Sequence, residues 1–350
     1  MEKTSKQKIL FIEVIRIVAC FLAMVNHTTA LYLNPNVYAY TTPPSSWFVS
    51  LIYFYICKMA IPLFVMITGY TLLDRQEDYK KHAQRLLRII LVLALFSGLY
   101  YINNWMKGTG VSLNIIDYIR ALYNGPQAWA YWYMYMYIGL LMMMPFLQKM
   151  VANMKKIDCE VMIGISLIAY GLVPIIEYNW PEWTVCKIVD LSLFSSFINI
   201  MLIGHYIKHY VEPSKKLFRF SFVGYIAILI FNIVVTCYEF QKNSGINYLF
   251  YENRVFITII LQTAFFFYMM KCIKWKEKWA KWITLIGGCT FGMYLLNDFL
   301  IEKTMSIFYY MNAAGIHPVI SEFIWQIIIF MSSLSIILIL KKVPFIKKLL

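Results

Sequence analysis

Long apolar stretches recur along this chain, each close to bilayer length and separated from the next by a short polar segment. A spanning helix needs about 20 predominantly apolar residues. Ten segments reach that length: 9–33, 47–73, 83–105, 128–148, 157–177, 191–209, 217–238, 254–272, 282–301 and 320–340. Trp, Tyr, Pro and charged residues mark their ends. The pattern predicts an all-α polytopic integral membrane protein with about ten transmembrane helices, organised as a single membrane domain over residues 1–350. A short extra helix is expected around Leu113 to Tyr123, within the longest loop, 106–127. The first apolar run is too long for a signal-peptide core and lacks a clear small-residue cleavage site, so it is expected to be retained as the first span.

Composition supports lipid as the solvent. Of 350 residues, 61% are hydrophobic and 14% are charged, and the mean hydropathy is +0.62. Soluble chains carry about 25% charged residues, so this chain lacks the charge to cover a water-facing surface. The net charge of +14 raises nucleic-acid binding as a reading. The basic residues nevertheless sit in short clusters between apolar runs, which argues against it. The seven cysteines show no metal or redox spacing, and no metal is expected.

Those clusters also set an orientation. Most of the 32 Lys and Arg residues lie at the N-terminus (Lys3, Lys6, Lys8), in alternate loops, and at the C-terminus (Lys341, Lys342, Lys347, Lys348). The opposite loops hold only Lys107, Arg120, Lys187, Lys242, Arg254 and Lys303. By the positive-inside rule both termini and the basic loops are cytoplasmic, as for a multi-pass protein of a bacterial-type cell membrane. The outer loops are rich in acids and aromatic rings, among them Asp190, Glu252, Trp105, Trp129, Trp180, Trp183, Tyr248 and Tyr251. Such rings form an interfacial belt or stack on the faces of an external sugar, and both readings stand.

Ionisable groups within spans are costly and usually face a cavity or a partner. The first span holds Glu13, Arg16 and His27. Arg16 and His27 are eleven residues apart, which places them on one helix face about 16 Å apart along the axis. The small residues Ala19, Cys20 and Ala23 lie between them, and a narrow slot is expected along that stripe. Glu13 precedes Arg16 by three residues and is positioned to pair with it. Lys58 and Asp298 are further intramembrane candidates without an assigned role.

The stretch from Phe11-Ile-Glu-Val-Ile-Arg16 to Asn26-His27-Thr28 resembles the opening of the membrane acyltransferase-3 family: an acid, an Arg, ten residues and a His. Other matches follow in order. Ile61-Pro-Leu-Phe-Val-Met-Ile-Thr-Gly-Tyr70 resembles the second-helix signature, with Thr68 where Ser is usual. Arg85-Leu-Leu-Arg88 resembles the Arg-x-x-Arg motif, and Trp132-Tyr133-Met134 through Pro145-Phe146 the fourth-helix pattern. Phe291 to Asn297 resembles a late aromatic motif, with Asn297 where His is frequent, so that position is given no proton-transfer role.

The resemblance implies transfer of an acyl group, most often acetyl from acetyl-CoA, onto a hydroxyl of an extracytoplasmic or lipid-linked carbohydrate of the cell envelope. It implies catalytic roles for His27, Arg16 and Glu13, and a coenzyme-binding role for Arg85 and Arg88. His27 would be the general base; an acyl-histidine intermediate is less favoured. The expected partners are acyl-CoA on the cytoplasmic side, a carbohydrate acceptor on the outer side and the bilayer. A stand-alone form without a fused extracytoplasmic esterase-like domain is expected. The rival class is a transporter or flippase of an envelope polysaccharide intermediate, which also requires a polar interior within a helix bundle. A membrane sensor domain is a weaker rival.

Overall fold

The computed structural model describes residues 2–32, 44–75, 77–180, 182–184, 196–243 and 257–350. Every regular element among them is helical. In chain order the α-helices are α1 (Glu2–Tyr32), α2 (Pro44–Cys57), α3 (Ala60–Leu72), α4 (Tyr79–Met106), α5 (Ile115–Asn124), α6 (Trp132–Ala152), α7 (Lys156–Leu167) and α8 (Val173–Asn179). They continue with α9 (Ser196–Tyr210), α10 (Lys215–Asn243), α11 (Ile257–Cys272), α12 (Ala280–Gly287), α13 (Thr290–Ala313), α14 (Pro318–Leu340) and α15 (Pro344–Leu349). Short α5 falls where the sequence placed a loop helix. The outer-loop residues Lys187, Asp190, Tyr248, Tyr251, Glu252 and Arg254, and the side chains of Lys3, Lys6 and Lys8, lie outside the described part.

Among the described residues seven helical stretches are long and apolar enough to cross a membrane: Leu10–Thr28, Trp47–Leu72, Tyr79–Met106, Trp129–Ala152, Lys156–Asn179, Lys215–Gln241 and Pro318–Leu340. Ile257–Cys272 with Glu277–Gly287 forms an eighth candidate, bent by 111°. The expected spans 191–209 and 254–272 are described only from Ser196 and Ile257. The expected span 282–301 differs from the structure. Helix α12 stops at Gly287, and α13 begins at Thr290 and runs on to Ala313. The Gly287-Gly288 pair, glycine being the poorest helix former after proline, falls at that break.

Prolines set two other irregularities. Pro62 has no N–H for the Lys58 carbonyl and its ring would clash there, so the second span divides into α2 and α3 at Lys58–Met59. Pro174 does the same to the carbonyl of Tyr170. The chain ahead of it widens into a π turn, Ile168–Leu172, between α7 and α8.

The chain forms two compact units, neither continuous in sequence. The first comprises Met1–Arg75 and Gln148–Gly287. In it, α3 and α9 pack backbone against backbone. A Cβ at Gly69 would overlap the Met201 carbonyl, and one at Gly204 would overlap the Met66 carbonyl. Small residues permit such close approach where lipid supplies no hydrophobic drive for helix association. Polar side chains also join elements here. Tyr55 Oη and Thr236 Oγ1 lie 2.5 Å apart, and Lys271 Nζ donates to the carbonyls of Ile207 (2.6 Å) and Val211 (2.7 Å) at the end of α9.

The second unit comprises Gln76–Leu147 and Gly288–Leu350. Its centre is a tyrosine cluster around α13. Tyr131 Oη and Tyr100 Oη both donate to the Leu295 carbonyl, at 2.7 and 3.2 Å, and Tyr100 Oη accepts from the Phe299 N–H at 2.9 Å. The Tyr100 hydroxyl thus bridges the Leu295 carbonyl and the Phe299 N–H, an i, i+4 pair of the α13 backbone. Short α5 is N-capped by Asn114, whose side chain accepts from Ile116 N at 2.9 Å. It is held against α4 by Tyr118, whose hydroxyl donates to the Ala94 carbonyl.

Candidate active site

Helix α1 carries three of the expected functional residues, all in the first unit. Arg16 Nη1 donates to Glu13 Oε1 at 2.5 Å, so the i, i+3 pair read from the sequence forms. Both side chains are largely buried, Glu13 more so than Arg16. The second carboxylate oxygen, Oε2, makes no hydrogen bond and lies against Gly287, where an added Cβ would collide with it. The absence of a side chain at Gly287 therefore makes room for the acid that holds Arg16.

His27 is half-buried, near the other end of α1. Its neighbours fasten that turn. Thr28 Oγ1 donates to the carbonyls of Met24 and Val25, and the Cys57 thiol of α2 points at Asn26 Oδ1 at 3.6 Å. Between Arg16 and His27 the stripe is packed rather than open: Cys20 is 1% and Ala23 8% exposed. The expected slot along those residues is therefore closed in this structure. The physical reason is that small side chains let α1 sit closely against its neighbours instead of leaving a groove.

Arg85 and Arg88 lie on α4 in the second unit. Arg85 Nη2 donates to Glu77 Oε1 at 2.6 Å, and its Nη1 contacts Glu77 Oε2 at 2.6 Å. Arg88 Nε donates to the carbonyl of Leu349 in α15 at 2.9 Å, while the residue as a whole is exposed. Each guanidinium thus has a protein partner, and the two do not converge on a shared one. Three residues before Arg85, His82 is buried with neither ring nitrogen hydrogen-bonded.

The two remaining candidates have architectural contacts. Asp298 Oδ2 accepts from the Ala130 N–H at 2.7 Å, at the start of the 3-10 turn Trp129–Tyr131 that leads into α6. Lys58 Nζ lies 4.3 Å from the centre of the Phe54 ring, a cation–π contact. One cluster was not anticipated from the sequence. Asp74 of the α3–α4 loop meets His205 and His209 of α9. The i, i+4 spacing of the two histidines within an apolar helix was the available signal.

The family described as an acyltransferase domain, acyltransferase-3, matches residues 9–342. No curated protein and no solved structure matches the chain. With a match over nearly its whole length and the acid–arginine pair formed on α1, the chain belongs to the acyltransferase-3 family of membrane acyltransferases.

Proposed function

We propose that this protein moves an acyl group, acetyl from acetyl-CoA, onto a hydroxyl of an extracytoplasmic or lipid-linked carbohydrate. The observation that carries this reading is the arrangement of α1: a formed Glu13–Arg16 pair and, three turns further on, a half-buried imidazole. In the proposed step, neutral His27 takes the proton of the acceptor hydroxyl as its oxygen attacks the thioester carbonyl. The C–S bond breaks, the ester C–O bond forms, and the departing coenzyme thiolate is reprotonated by the imidazolium or by water.

The spacing divides the labour. About 16 Å along the helix axis separates Arg16 from His27, too far for one carbonyl to touch both. Arg16 therefore serves the donor's arm rather than the reacting carbon, and Glu13 fixes its guanidinium. The thioester needs a path to His27, and the packed stripe at Cys20 and Ala23 requires the bundle to open when donor binds. For Arg88, exposed, and Arg85, half-buried, both in the second unit, the proposed role is binding of the coenzyme's phosphates through their guanidinium groups, with Arg85 exchanging Glu77 for phosphate.

The test is acyl transfer itself. Membranes containing the protein, given acetyl-CoA, are expected to release free coenzyme and leave ester groups on the envelope glycan, detected by mass spectrometry. The His27→Ala variant is expected to lose both signals at unchanged abundance. Full activity in that variant would remove the proposed base. Glycan export without ester formation or coenzyme release would support the transporter reading instead.

A further inference from the structure

The first unit holds a second cluster of chemistry-bearing side chains, separate from Glu13, Arg16 and His27. Asp74 sits two residues past the end of α3, and His205 and His209 are one turn apart on α9, so both imidazoles face the same side of that helix. His205 Nδ1 lies 2.8 Å from Asp74 Oδ1, and His209 Nε2 lies 2.9 Å from Asp74 Oδ2. One ligand atom from each residue falls within 4.8 Å of the others.

We propose that Asp74, His205 and His209 bind a divalent transition-metal ion, Zn2+ by the chemistry of the set. Zinc takes imidazole nitrogen and carboxylate oxygen at about 2.0–2.2 Å, so two ligands of one ion stand about 3–4 Å apart, a small outward movement from the distances seen here. Three protein ligands leave one tetrahedral position for water.

A second observation points the same way. His205 is 6% exposed, yet its Nδ1 makes no hydrogen bond even with a carboxylate oxygen beside it. A buried ring nitrogen close to an anion but misaligned for hydrogen bonding fits two ligands aimed at a common third atom.

The competing arrangement is an ion cluster without metal, because Lys208 Nζ stands 2.5 Å from Asp74 Oδ2. The two differ in what the lysine does. In the metal site the ammonium is a competitor that withdraws toward the Tyr70 ring, 5.6 Å from it already. In the ion cluster it is the main stabilising partner of Asp74. A bound ion would tie the end of α3 to α9 just beyond the Gly69 and Gly204 contacts, on the side that the charge pattern makes cytoplasmic.

The experiment uses the full chain in detergent, purified without a polyhistidine tag and stripped with a chelator. Zn2+ is titrated against a chromophoric chelator, and Co2+ serves as a visible-absorption probe. One ion per chain is expected, with tetrahedral Co2+ bands. His209→Ala, at a partly exposed position where folding is not at stake, is expected to weaken binding about tenfold or more. His205→Gln and Asp74→Asn are expected to do the same, and Lys208→Met is expected to bind severalfold tighter. His317→Ala, a histidine of the second unit, is expected to bind like the unaltered chain. Absence of stoichiometric binding, binding that survives His209→Ala unchanged, or weaker binding by Lys208→Met would each overturn the proposal.

Discussion

Gly287→Ala would place a methyl group on the Glu13 carboxylate, the flexible end of a side chain, and close against Glu13 Cβ, which must give by a few tenths of an ångström. The acid is expected to swing aside at little cost in stability and take Arg16 with it. Because a misplacement of about 1 Å in an orienting group can cost up to about 100-fold in rate, acyl transfer is expected to fall well below that of the unaltered protein while abundance and melting temperature stay nearly unchanged. Equal activity would show that the Glu13–Arg16 geometry is not used. On α4, Arg85→Ala with Arg88→Ala is expected to weaken coenzyme A affinity measured by titration. Unchanged affinity would contradict the phosphate role. The Glu13–Arg16 pair was legible in the sequence because i, i+3 geometry is local. The engagement of Arg85 by Glu77, and of Arg88 by a carbonyl 261 positions away, was not. The first needs the loop conformation and the second a tertiary contact.

At the scale of elements, α3 and α9 depend on two glycines. At Gly204→Ala the new methyl meets the Met66 backbone, and at Gly69→Ala it meets that of Met201. Backbone cannot yield as a side-chain tip can, so each substitution must separate the helices. Overpacking of this kind costs about 1–3 kcal/mol, and a lowered thermal midpoint in detergent, with a non-additive drop in the double variant, is the expected outcome. The spans 47–73 and 157–177 read as unbroken, although Pro62 and Pro174 within them carry a local signal for a break, because the missing N–H acts on the same helix. The glycine contacts carry no such local signature. Nor did the Gly287-Gly288 break stand out within an apolar run that reads as one span. The His205 and His209 spacing was a local i, i+4 signal that went unread, whereas Asp74 joins them only through the fold.

For the whole molecule, the charge pattern makes a prediction about sidedness. A cysteine at Tyr123, on α5, is expected to react with an impermeant maleimide in intact cells. One at Lys347, on α15, is expected to react only after permeabilisation, both measured in a background lacking the native cysteines. The reverse labelling would invert the topology and with it the cytoplasmic side assigned to acyl-CoA. The all-helical membrane architecture was readable because apolar length is a one-dimensional property. The division into two units was not, since each is assembled from two distant stretches of chain. That interleaving constrains biogenesis. Helices α4 and α5 leave the ribosome long before α13 and α14, the elements that complete their unit. During that interval Tyr100 has no α13 backbone to bond, and the half-built unit must wait in the bilayer while the other is finished. A chain truncated and released after Gly287 would therefore present the cell with one finished unit and one orphan, a natural target for membrane quality control.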